Sequence, residues 1–111
     1  MKLSKRQTKA LKKSIKKWEA IVAGTGIDDG ADNCELCKKY IGCDCKSCPV
    51  CLTVSAKWCH NTPHEQWCDY THRHLKNDLA QEGKVFGKKS KRLAQAELDF
   101  LKGILEESKD E

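Results

Sequence analysis

The residues able to do chemistry are crowded into one stretch. All eight cysteines (Cys34, Cys37, Cys43, Cys45, Cys48, Cys51, Cys59 and Cys68) lie between residues 34 and 68, and the four histidines, His60, His64, His72 and His74, sit at its end or just beyond. Cys34-Glu-Leu-Cys37 and Cys45-Lys-Ser-Cys48-Pro49 are two Cys-x2-Cys knuckles. Two residues between thiolates let the backbone turn tightly, so that amide N–H groups face the sulfurs and soften their charge. Two such knuckles about ten residues apart can close a tetrahedral site of four thiolates, the chemistry of a structural zinc.

The remaining thiols raise the count. Cys43 and Cys51 flank the second knuckle, Cys59 lies further on, and Cys68 falls four residues before His72. On a helix that i, i+4 pair shares a face and could clasp a metal. Eight thiols with His72 or His64 suffice for two zinc ions; one zinc with spare buried thiols is the competing arrangement. His60, His64 and His74 read individually as surface or hydrogen-bonded residues rather than ligands. A disulfide framework, with about 105 possible pairings, is the alternative to metal. The N-terminus is basic, but no apolar segment of the kind that follows it in a secretory leader is present. The expectation is therefore a reducing cytoplasm, where clustered cysteines read as metal ligands.

These residues need a frame, and the flanking sequence supplies helices. Leu11, Ile15, Trp18 and Val22, with Ile21 beside them, mark one face of an amphipathic helix over 1–23, capped by Ser4 or Thr8 and ended by Gly24 and Gly26. Lysines fill its other face. Residues 25–33 read as a turn-rich loop, whose acids lack the spacing of a calcium loop. Thr62-Pro63-His64-Glu65 predicts a helix start, with Thr62 as cap, Pro63 in the first helical position and Glu65 completing a capping box; the helix runs over 63–82. Trp67 and Tyr70 are expected to pack as core against the Cys-rich knot. A last helix over 90–107, capped by Ser90, carries the stripe Ala94, Leu98, Leu101 and Leu105, widened by Phe100 and Ile104; Gly103 suggests close packing against another helix. At 111 residues the chain reads as one domain, 1–111. The expected fold is mainly α: a small zinc-stabilised domain in which N- and C-terminal amphipathic helices pack around an irregular Cys-rich knot over 34–68. Such a short, Cys-rich chain has little apolar core, a deficit that bound metal makes good.

Several function classes drop out. No apolar run approaches the roughly 18 residues of a membrane span, so no membrane partner is expected. No carboxylate pair, Gly-rich phosphate loop or Ser/His/Asp set is present, and a redox role for the Cys-x2-Cys pairs lacks its βαβ setting. His60, Asn61, His72 and His74 are of the types a metal-dependent nuclease uses, but their spacing matches no such motif. No catalytic residues are assigned. Net charge is +5, and its distribution suggests a second class of partner. Lys9, Lys12, Lys13, Lys16 and Lys17 in the first helix, with Lys88 and Lys89 in a later acid-free run, could touch nucleic-acid phosphates, which gives affinity without base specificity.

The order of landmarks resembles a group of small Cys-rich proteins of bacteriophages and prophages. The residues that carry it are Trp18, Cys34-Glu-Leu-Cys37-Lys-Lys-Tyr40, Cys45-Lys-Ser-Cys48-Pro49-Val50, Cys59, Thr62-Pro63 with Trp67, and Ala96-Glu97-Leu98-Asp99-Phe100-Leu101. The similarity spans roughly 15–105 and departs from the group's pattern at Thr53-Val54 and at His64. It implies Cys34, Cys37, Cys45, Cys48 and Cys59 as metal ligands. Cys43, Cys51 and Cys68 are additional to the pattern, so that with His72 they are candidates for a second site. A zinc saturated by four thiolates has no open position for water, so a non-catalytic protein is expected. The resemblance implies a host or phage protein as its target, with the chain acting as an inhibitor or adaptor in a bacterial host cytoplasm.

Overall fold

The computed structural model describes residues 2–28, 34, 36, 48–54, 62–73, 85 and 87–109. They form four helices, α1 (Lys5–Ala23), α2 (Pro49–Val54), α3 (Pro63–Arg73) and α4 (Gly87–Lys109), and no strand occurs among the described residues. The mainly α fold follows. No helix there is long and apolar enough to cross a membrane.

α1 forms where periodicity placed it, and its start is fixed by local chemistry. The Ser4 hydroxyl accepts a hydrogen bond from the Gln7 N–H at 3.1 Å, and the Gln7 side chain accepts from the Ser4 N–H at 2.8 Å. Two of the unpaired donors at the helix end are thereby satisfied, a capping box whose Ser contributes about 1 kcal/mol. Gly24 ends the helix at φ 85°, a left-handed conformation in which a side chain is strained. The chain then folds back on the last turn: the amides of Thr25 and Gly26 both donate to the Ala20 carbonyl at 3.0 Å. At Gly26 a Cβ would lie 2.9 Å from the Ala20 Cβ, so glycine is needed for that close return. The return carries the chain to Asp28.

α4 is the central element and touches each of the other three helices. Its buried residues Ala94, Leu98, Leu101 and Ile104 meet Ala10, Leu11, Ile15, Trp18 and Ile21 of α1 in one core. Leu36, Cys48, Val50 and Cys51 belong to that same core, so both ends of the first part of the Cys-rich stretch are built into the helical frame. Phe100 and Leu105, expected in the stripe, are only half-buried at its margin. α3 runs antiparallel to α4. Its first turn lies at Glu97, where the His64 amide donates to the carboxylate, and further along the Lys89 ammonium sits 5.3 Å from the Tyr70 ring centre.

Four details differ from the sequence reading. α4 begins at Gly87, not Ser90; Ser90 lies buried inside the first turn and donates to the Gly87 carbonyl at 3.3 Å. Gly103 is exposed and nothing lies within 4 Å of a Cβ built on it, so it does not mark a close helix contact. The Cys-rich stretch is not irregular throughout: Pro49 opens α2, where the Leu52 amide donates to the Cys48 carbonyl at 2.9 Å and the Thr53 hydroxyl to that of Pro49 at 2.8 Å. Lys17, grouped above with the solvent-facing lysines, has a side chain only 11% exposed. The remainder of the helix expected over 63–82, beyond Arg73, lies outside the described residues.

Candidate metal centre

The site grows from the return loop after α1 and the first two turns of α3. Asp28, with a side chain 4% exposed, is its hub. Its Oδ1 accepts from Lys17 Nζ at 2.8 Å. Its Oδ2 lies 3.0 Å from His64 Nε2 and accepts from Trp67 Nε1 at 3.0 Å. Burial opposes ionisation of this carboxyl, but the hydrogen bond and charge of His64, together with those of Lys17, hold it well below the usual carboxylate range. α1, the loop and α3 thus meet on one buried anion.

Helical spacing brings the third ligand type. Cys68 follows His64 by four residues on α3, and its Sγ lies 3.6 Å from Nε2 and 3.7 Å from Nδ1 of that ring. One ligand atom each from Asp28, His64 and Cys68 falls within 4.8 Å of the other two. Trp18 walls the group, its ring edge-to-face with His64 (centroids 5.6 Å apart) and with Trp67 (5.5 Å). Cys68 is at the exposed margin.

Glu97 of α4 completes the surroundings. It is 3% exposed, its Oε2 has no hydrogen-bond partner among the described residues, and it takes the backbone N–H of His64, an otherwise unpaired donor in the first turn of α3. Burial pushes its pKa up to about 7, against the pull of a charged His64 and with the repulsion of Cys34 and Asp28 adding to the rise.

The expected ligands are placed as follows. Cys48 is buried at the start of α2 and Cys34 is half-buried against the core. Cys51, a free thiol, is buried beside them in that core, and Cys68 is a free thiol at the surface. Among the described residues neither Cys34 nor Cys48 joins a group of three ligand atoms. Cys37, Cys43, Cys45 and Cys59 lie outside the described residues, as do His60 and His74. His72 lies in α3, but its side chain is outside the described part. Cys68 pairs with the histidine four residues before it, a contact of the same helical geometry as the one expected with His72.

The basic faces divide. Lys5, Lys9, Lys12, Lys13 and Lys16 are exposed along one side of α1, and Lys88, Lys91 and Arg92 line a second basic patch on α4. Lys17 is committed to Asp28, and Lys89 sits over Tyr70.

Asp28 and Glu97 were missed in the sequence. Nothing in Ile27-Asp28-Asp29-Gly30 distinguishes a buried hub from a solvated turn. Glu97 carries a signal in its register: it falls three residues after Ala94 and four before Leu101, inside the apolar stripe, where a charged residue demands a reason. No protein-family model, no curated protein and no solved structure matches this chain.

Proposed function

We propose that the chain is a small, non-catalytic zinc-binding protein whose metal holds the Cys-rich stretch on a helical frame, and that the assembled surface docks on a macromolecular partner. One observation carries this reading: Leu36, Cys48, Val50 and Cys51, from within the Cys-rich stretch, are buried in the same core as α1 and α4. A segment so poor in apolar residues contributes little burial of its own, and metal bound by its knuckles supplies the missing folding free energy, about 10–16 kcal/mol in small zinc modules. A zinc closed by four thiolates has no open position for water and does not hydrolyse a substrate. The resemblance to small phage and prophage proteins supports a host or phage protein as partner and a bacterial cytoplasm as the place of action. Intact mass under native and denaturing conditions tests the metal. Bound zinc with all eight thiols reduced, and loss of helicity on chelation, are expected. A metal-free chain lighter by several pairs of hydrogens would instead mean disulfides and end the reading.

A second reading is favoured by the exposed lysines on one side of α1, which suit nucleic-acid phosphates. Reversing the charge of Lys9, Lys12, Lys13 and Lys16 together removes four contacts and should flatten the salt dependence of log K by about 3–4. Unchanged DNA and RNA retention ends it.

A further inference from the structure

We propose that Asp28, His64 and Cys68 form a metal site of their own, separate from the Cys-x2-Cys knuckles, which takes a borderline-soft divalent ion of the zinc class and ties the loop after α1 to α3. The proposal rests on the zinc reading above only for the identity of the ion.

Geometry is the first support. A tetrahedral ion with zinc–sulfur bonds of about 2.3 Å and zinc–nitrogen or zinc–oxygen bonds of about 2.0–2.1 Å sets its ligand atoms about 3.6 Å apart for sulfur and nitrogen, and about 3.3 Å apart for nitrogen and oxygen. The observed separations are 3.6 Å between Cys68 Sγ and His64 Nε2, and 3.0 Å between that nitrogen and Asp28 Oδ2. An ion entering between them replaces the His64–Asp28 hydrogen bond. Because Sγ lies almost equally far from the two ring nitrogens, at 3.6 and 3.7 Å, the Cys68 side chain or the ring must also turn to bring the sulfur onto an ion held by Nε2.

The shell around the three ligands is the second. Metal-binding carboxylates are held by hydrogen bonds from outside the coordination sphere. Asp28 receives them from Trp67 on Oδ2 and Lys17 on Oδ1, both from helices. Trp18 packs against His64 and restricts its ring.

Charge is the third. Asp28 and the Cys68 thiolate would be ligands, two anionic donors whose atoms lie within 4.8 Å of one another and of the His64 ring. Lys17, in contact with Asp28 Oδ1, offsets part of that charge. A divalent ion is attracted by both anionic donors at once. The mixed O, N, S donor set selects zinc-class ions over calcium or magnesium, which take oxygen ligands.

Cys68→Ser is the discriminating variant, because Cys68 is exposed and its replacement leaves the core intact. The reduced full-length chain and the variant are loaded with zinc, freed of excess, and weighed by native mass spectrometry, with far-UV circular dichroism on the same samples to establish equal helicity. The site predicts that the variant binds one zinc fewer. Two against one, with the same loss in Asp28→Asn, upholds both the site and the knuckle zinc, whereas a loss in Cys68→Ser alone assigns Cys68 to a knuckle ion and overturns the site. One against none, again shared by Asp28→Asn, upholds the site and removes the knuckle reading. One against one, or two against two, overturns the site and leaves zinc binding standing. None in either removes both. Cobalt(II) substitution adds a second readout: the thiolate-to-cobalt charge-transfer band should lose the share of a single thiolate in the variant, and an unchanged band overturns the proposal whatever the mass.

Discussion

Lys16 and Lys17 are neighbours of identical chemistry with opposite fates, which makes them a sharp test of the Asp28 hub. Lys16 lies on the exposed side of α1. Lys17 places its ammonium 2.8 Å from Asp28 Oδ1, with the two side chains 11% and 4% exposed. Lys17→Met keeps most of the stem that packs there and deletes the charge. Removing one partner of a buried ion pair costs about 3–5 kcal/mol, because the other charge is left without compensation. Here Oδ2 keeps the partners His64 and Trp67, so the loss is limited to one charge-assisted hydrogen bond, about 2–3 kcal/mol. Urea unfolding of the zinc-saturated, reduced protein reads this as a midpoint lowered by about 1–2 M at unchanged slope. Lys16→Met should stay within about 0.5 kcal/mol of wild type, the range of surface substitutions. If Lys17→Met also falls within that range, or Lys16→Met is equally damaging, Asp28 is not the buried hub described here.

Two further variants report on the frame. Gly103→Ala should stabilise the chain by about 1 kcal/mol, since an exposed mid-helix glycine with open space around it offers only conformational entropy to the unfolded state; a lower melting temperature would show that α4 is in contact there. Leu11→Ala, at a fully buried position between α1 and α4, should cost about 2–5 kcal/mol in urea unfolding, and a loss under about 1 kcal/mol would mean that this core is not formed.

What could be read in advance was local. The stripes of α1 and α4 are written in a 3.6-residue period, and Thr62-Pro63 marks the start of α3, because those signals depend on residues within a turn or two of each other. The site was not legible in the same way. Asp28 becomes a hub only through His64 and Trp67, 36 and 39 residues away, and a turn-rich sequence hides such a partner. Lys17 could have been separated from Lys16 by register: at about 100° per residue it borders the Trp18 stripe, whereas Lys16 faces away from it. Gly103 invited a packing explanation that its open surroundings remove. His64 does hydrogen-bond, to Asp28, but its contact with Cys68 depends on the helix phase and the buried acid together.

The central place of α4 also sets an order of events during synthesis. The apolar stripe of α1 emerges from the ribosome early, yet the helix that covers it lies beyond the entire Cys-rich stretch. Until α4 is made, Leu11 and Ile15 have no lasting cover, and closing that long intervening loop carries an entropic cost that slows folding. Metal taken up by the cysteines before α4 arrives would shorten the loop to be closed. Meanwhile Lys2, Lys5, Arg6, Lys9, Lys12, Lys13, Lys16 and Lys17, with no acid before Glu19, make nascent copies repel one another. The same charges that line the finished surface would protect the unfinished chain from association until α4 is in place.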